Sequence, residues 1–188
     1  MKKTLVCILA ETRAHKLSWD SFNSNILEKL DADLALCIAV DETYDCENPY
    51  WKSAKFKFTF KEYSDWGDAY DECQLEILGK TESFSLPNWR LLLEVKDQWL
   101  GGVKGPNSHP GSAGILIYAR WQLLKSLLEN KLDSAYDRFV VTRSDFIWTI
   151  PHPDLEILDE RKIWVPDGEA YGGITDRHVV LSREHLSS

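Results

Sequence analysis

The chain has 188 residues, 44% hydrophobic and 28% charged, enough for one domain with a real core and too few for two comfortable ones. A formal net charge of −8 and a pI near 5.1 exclude a general nucleic-acid binder, whose phosphate contacts need a basic face. No apolar run approaches the roughly 20 residues that cross a bilayer, so no transmembrane segment is expected.

The opening MKKTLVCILAETRAHK has the lysines and apolar run of a signal peptide, but the run is short and leads straight into Glu11 and Arg13. TLVCIL, 4–9, reads instead as a first core strand buried on both faces. Residues 20–30 place Phe22, Ile26 and Leu30 at helical spacing, with Ser18 or Asp20 as the cap. ADLALCIAV, 32–40, is a second apolar strand and completes a right-handed βαβ unit. Of the four cysteines, Cys7 and Cys37 fall in these strands and none stands in CxxC spacing. Buried free thiols and a reducing, cytoplasmic location follow, rather than a disulfide framework or a zinc site.

Asp41, Glu42, Asp45 and Glu47 form an acidic loop. A helix is expected over 63–78, a strand or short helix over 89–95, and a loop over the Gly/Pro-rich 101–114. Residues 112–131 form the clearest helix, its stripe made by Leu116, Ala119 or Arg120, Leu123 and Leu127, with Ile117, Leu124 and Leu128 beside it. The strand 138–142 follows, then a proline-bounded loop, a short strand over 162–166, the turn DGEAYGG and the segment TDRHVVLSREHL. Eight tryptophans exceed the needs of a core this size; they pack, or some line a carbohydrate or base site.

Strands alternating with helices predict an α/β fold, a three-layer α/β/α sandwich with a mostly parallel mixed sheet. Ligands in such sheets bind beyond the carboxyl ends of the strands. Two polar clusters fall at such ends: Glu11-Thr12-Arg13, and Arg143-Ser144-Asp145. A carboxylate on a rigid strand end suits a hard divalent cation, with open positions left for phosphate oxygens. Alternatively, Asp145 caps a turn and pairs with Arg143.

YDRFVVTRSDFIWTIPHP, followed by IWVPDGEAYGGITDRHVVLS, resembles a group of bacterial and viral glycosyltransferases of the GT-A fold. The shared pattern runs through Tyr136-Asp137, an apolar strand, Arg143-Ser144-Asp145, Val165-Pro166 and Gly172-Gly173-Ile174-Thr175-Asp176-Arg177. CILAETRAHKLSWDSFNSNIL is similar to the start of the same family. The likeness covers roughly 1–40 and 108–182. It implies one GT-A-like domain over 1–188: either 41–110 is a variable insert that builds the acceptor side, or the chain is a catalytic domain cut from a longer protein.

The resemblance implies transfer of a sugar from a UDP- or GDP-sugar to a hydroxyl acceptor, such as a glycan. Nucleotide-sugar contacts fall to Ala10, Glu11, Thr12, Arg13, Asp41, Arg143, Ser144, Gly172 and Gly173. Asp145 would hold Mn2+ or Mg2+, although Arg143 replaces the first acid of the family's Asp-x-Asp and can itself neutralise a diphosphate. Asp176 is the expected catalytic residue, as general base or as a holder of the sugar or metal; the bland alternative is the cap of a helix starting near Arg177. Asp167 and Glu169 are alternative bases. His109 to Ser112, with Lys104, offer a phosphate site at the helix start or simply a cap. His152 and His178 lack metal-ligand spacing and are expected to be structural. A phosphate-transfer enzyme would need a phosphate loop or a DxDxT motif, and the sequence has neither. The remaining rival is a non-catalytic sugar-nucleotide or carbohydrate-binding module.

Overall fold

A computed structural model describes residues 2–80, 88–104, 110–168 and 175–186. In chain order its elements are β1 (Thr4–Ala10), α1 (His15–Phe22) running into a π-helical turn (Asn23–Glu28), β2 (Asp33–Val40), α2 (Pro49–Ser53) and β3 (Phe56–Lys61). Then come α3 (Trp66–Lys80), α4 (Trp89–Leu92), β4 (Val103–Lys104), β5 (Pro110–Gly111), α5 (Ala113–Glu129), α6 (Leu132–Ala135), β6 (Arg138–Thr142) and β7 (His178–Ser182). The chain divides into two compact units, Met1–Phe60 with Gln122–Ser188, and Lys61–Trp121.

The first unit is α/β, built on a five-stranded mixed sheet of order β3-β2-β1-β6-β7. β1 pairs in parallel with β2 (Cys7 opposite Ala35) and with β6 (Cys7 opposite Val141), while β7 runs antiparallel to β6. Alternate strand residues Val6, Ile8, Leu34, Leu36, Ile38, Val140 and Val180 share a core with Phe22 and Ile26 of the helical segment and Tyr50 of α2. Leu5, Cys7, Ala35, Cys37 and Phe139 on the opposite face are equally buried, so both faces of the sheet are covered. Burial on both faces explains why β1 and β2 read as continuous apolar runs. β3 alternates half-buried Phe56, Phe58 and Phe60 with exposed Lys57, Thr59 and Lys61, the pattern of an edge strand. Cys7 and Cys37 are buried free thiols, whereas Cys46 is exposed.

Several expected boundaries move. The first helix begins at His15, and its cap is Ala14 in the left-handed region (φ 59°) with no side-chain cap bond. Ser18 sits inside the helix, where its hydroxyl lies 3.1 Å from both Ala14 O and Tyr50 Oη. The expected strand over 162–166 shrinks to one bridge, in which Trp164 and Val180 exchange 2.8 Å bonds. Pro166 lacks the amide hydrogen needed to extend that ladder. The 101–114 segment carries the short β4–β5 pairing. In α5, Ala119, Leu123 and Leu127 are buried as the stripe requires, but Ile117 and Leu128 are exposed.

The second unit gathers aromatic rings. Tyr70 meets Trp99 edge-on at 4.9 Å and Trp89 at 5.1 Å, and Tyr118 meets Trp66 at 5.7 Å. Their polar tips find partners: Trp99 Nε1 donates to Gly102 O at 2.7 Å, Tyr70 Oη to Gly114 O at 2.8 Å, and Trp89 Nε1 to Asp71 at 2.7 Å. These rings are packing residues. A Cβ on Gly114 would come within 2.4 Å of the Trp99 ring, so glycine is required there.

Candidate functional site

From β1 the sheet extends one way through β2 to β3 and the other way through β6 to β7. The chain leaving β1 heads toward β2, and the chain leaving β6 heads toward β7. The gap between the carboxyl ends of β1 and β6 is therefore a topological switch point, where open α/β sheets leave a crevice. Both polar clusters predicted from the sequence open there.

The segment after β1 is tightly shaped. Ala10 (φ 69°) and Ala14 (φ 59°) both take left-handed conformations, at roughly 1–2 kcal/mol each for an L residue. Between them Thr12 turns inward and is buried. Its hydroxyl lies 2.7 Å from Tyr44 Oη, and Asn48 Nδ2 donates to Thr12 Oγ1 (2.8 Å) and Thr12 O (3.1 Å). Anchoring Thr12 leaves its neighbours Glu11 and Arg13 exposed, side by side, with Arg13 Nε 3.1 Å from Glu11 Oε2.

Ser144 is buried and joins the two clusters. Its hydroxyl donates to Glu11 O at 2.9 Å, with Arg13 O at 3.3 Å. Its own carbonyl accepts from Tyr50 Oη at 3.1 Å. Burial pushes the Tyr50 phenol up to about 12, so it stays a neutral donor.

Arg143 and Asp145, flanking Ser144, form a fork: Nε donates to Oδ1 at 2.8 Å and Nη2 to Oδ2 at 2.6 Å. Arg13 Nε stands 4.0 Å from Asp145 Oδ2. Hydrogen bonding from Arg143 holds the Asp145 carboxyl below its ordinary value, against the opposing effect of burial, with a further contribution from Arg13. The Arg143 guanidinium is raised by its bonds to Asp145, and the charges of Asp176 and Glu11 act in the same direction. One guanidinium thus lies in the field of three carboxylates, from the segments that follow β1 and β6 and the one that precedes β7.

Asp176 is exposed and lies two residues before β7, so it precedes a strand rather than capping a helix. Gly172, Gly173, Glu169 and His109 lie outside the described residues. Asp41, at the end of β2, closes its own turn by accepting from Thr43 N (2.8 Å) and Thr43 Oγ1 (2.7 Å); these bonds lower its pKa. Asp167 is exposed. Ala10 and Thr12 shape the site through backbone and buried bonds; Glu11, Arg13, Arg143 and Asp145 present their charged groups to it.

Each oxygen of Asp145 accepts one bond from Arg143, so a divalent ion there would share the carboxylate with the guanidinium. Among the described residues no group of three His, Cys, Asp or Glu side chains gathers as a ligand set. Among them too, no helix is long and apolar enough to cross a membrane.

Sequence reasoning missed Tyr44, Asn48 and Tyr50, whose hydroxyl and amide groups fix the two clusters from behind. It also missed that His152 Nε2 lies 3.2 Å from His178 Nε2. Neither contact has a local sequence signature, because the partners come from distant segments. Comparison with protein-family models, curated proteins and solved structures returns no match.

Proposed function

We propose that the switch-point crevice binds the diphosphate of a nucleoside diphosphate sugar and that the chain is a GT-A-like glycosyltransferase acting on a hydroxyl acceptor. The observation that supports this most directly is the Ser144 bridge. It brings Arg13 and Arg143 to one place at the carboxyl ends of adjacent parallel strands. Guanidinium groups match phosphate oxygens in pairs, and two of them neutralise charge as it builds on a departing diphosphate. Arg143 thereby takes the part the sequence resemblance gives to a metal ion, and Asp145 orients it.

In the proposed reaction the bond between the anomeric carbon and the diphosphate oxygen breaks and the acceptor oxygen forms the new glycosidic bond. If the reaction inverts the anomeric centre, the acceptor proton passes to a carboxylate, and the exposure of Asp176 and its field at Arg143 support assigning it that role. The donor is a UDP- or GDP-sugar and the acceptor a glycan or similar hydroxyl compound. Buried free thiols suit a reducing, cytoplasmic setting for this chemistry.

The test is calorimetric titration with UDP-glucose and GDP-mannose, with and without Mn2+, followed by assay of donor hydrolysis. Binding in chelator, lost in Arg143→Ala and accompanied by slow hydrolysis, is the expected result. Binding without turnover under any condition assigns the chain to the non-catalytic sugar-nucleotide module instead. Failure of every sugar nucleotide to bind removes the proposal.

A further inference from the structure

A buried pair of titratable side chains ties together the two segments that carry Asp145 and Asp176. His152 lies in the proline-bounded segment after Asp145, and His178 opens β7 two residues after Asp176. Both rings are almost fully buried, with Nε2 atoms 3.2 Å apart. His152 Nδ1 lies 2.7 Å from Pro153 O, which can only accept, so Nδ1 carries the hydrogen and Nε2 is bare. His178 must then donate from its own Nε2. Its Nδ1 is buried without a hydrogen-bond partner among the described residues.

This pair accommodates a single hydrogen between its rings. A proton added to His152 Nε2 forces two N–H groups head to head. Otherwise the hydrogen of His178 must move to Nδ1, where the described residues offer no acceptor. Among the described residues, the groups facing the pair give a positive charge no free counterion. Trp148 packs edge-on against His178 at 5.1 Å, and Thr142 stands opposite it on β6. Lys29, after the π-helical turn, opposes charge on His152 and is itself paired with Asp154. The β6–β7 ladder reaches only as far as Thr142 opposite His178, and beyond it the segment around Trp148 is bonded to the helical side: Trp148 N donates to Ser21 Oγ at 3.1 Å, Asn25 Nδ2 to Trp148 O at 2.7 Å, and His152 N to Asn25 O at 2.9 Å.

We infer that the His152–His178 pair is a proton-operated latch that, while neutral, clasps the Asp145 segment to the start of β7 and fixes Asp145 relative to Asp176. Proton uptake opens it. The latch stands on geometry alone; its effect on diphosphate binding rests on the function proposed above.

Nitrogen-15 NMR of the ring nitrogens at about pH 7.5 should show opposite tautomers, Nδ1–H on His152 and Nε2–H on His178. As the pH is lowered, backbone amides of Phe146 to Trp148 and of Arg177 to Val179 should shift with one common midpoint below 6.5 and lose exchange protection together. The double variant His152→Gln with His178→Gln replaces the ring bond by an amide bond that does not titrate, and should lose that midpoint. Identical tautomers, separate midpoints for the two segments, or a common midpoint that survives the double substitution would each overturn the latch. If the double variant does not fold, the wild-type tautomers and midpoint decide the matter alone. Inorganic pyrophosphate supplies the functional arm, and its affinity should fall as the latch opens. Opening without any change in affinity removes the link to the site, whereas no pyrophosphate binding at any pH removes the diphosphate reading and leaves the latch standing.

Discussion

The Ser144 hydroxyl donates to the Glu11 carbonyl at 2.9 Å across 133 positions of sequence. That bond decides where the two arginines meet, because Glu11 precedes Arg13 and Ser144 sits between Arg143 and Asp145. Ser144→Ala removes this part-buried bond from the Glu11 carbonyl, at a cost of about 0.5–1.5 kcal/mol. The expected outcome is a lower urea midpoint together with weaker sugar-nucleotide binding. A variant with unchanged affinity would show that the arginines are held by something else.

Arg143→Ala should abolish donor binding, and Arg143→Lys should recover little of it. An ammonium group cannot reproduce the two-pronged geometry that Arg143 shows toward Asp145. Calorimetry on the two variants separates geometry from charge. Full recovery in the lysine variant would mean that charge alone suffices.

Tyr50→Phe removes the donor to Ser144 O while keeping the ring that packs 5.0 Å from Phe22 and 4.9 Å from Trp19. A stability loss of about 1–2 kcal/mol is expected, with a folded core at room temperature. Chemical denaturation measures the loss. A change below the error of that measurement would show that Ser144 O finds another donor.

Folding stability should fall as the pH drops from about 6.5 toward 4. Burial, with His152 nearby, pushes His178 down to about 4, and burial lowers His152 as well. Both are depressed relative to the unfolded value of 6.5, so the unfolded chain takes up protons first. The stabilisation is complete above that value and is lost as the pH falls toward the folded-state values. For His178 alone it is on the order of 3 kcal/mol. Urea titrations at several pH values check the slope, which should flatten in His178→Gln.

Alkylation should distinguish the thiols. Cys46 is exposed, while Cys7 and Cys37 are buried, and burial raises both of their pKa values, that of Cys37 to about 12. Mass spectrometry after brief treatment at neutral pH should find Cys46 modified and Cys7 and Cys37 intact until denaturant is added.

What the sequence made legible was the sheet's centre and the meeting of two polar clusters at its strand ends. β1, β2 and β6 are buried on both faces, so their apolar runs announced them, and the sudden polar residues at their ends marked the crevice. Less legible was anything set by partners far away in the chain. The pattern RFVVT does not show that Arg138 is almost fully buried, with Nη1 on Leu158 O at 3.1 Å. Asp145 reads equally well in sequence as a metal ligand or an arginine partner, and only the fork with Arg143 is a matter of geometry. His152 and His178 stand 26 positions apart and meet only because the segment after β6 folds beside the strand that pairs with it. The cap of α1 was misplaced because Ser18, a good capping residue by type, is used inside the helix to reach Tyr50.

The two margins of the five-stranded sheet are finished differently. On one, exposed Lys57 of β3 holds its ammonium on Ala54 O at 3.0 Å, so any strand docking there would meet a fixed charge. On the other, the main chain of Val180 is already occupied by Trp164. Neither margin is a ready template for another copy of the chain, so a crowded solution should not drive these sheets to fuse into fibres.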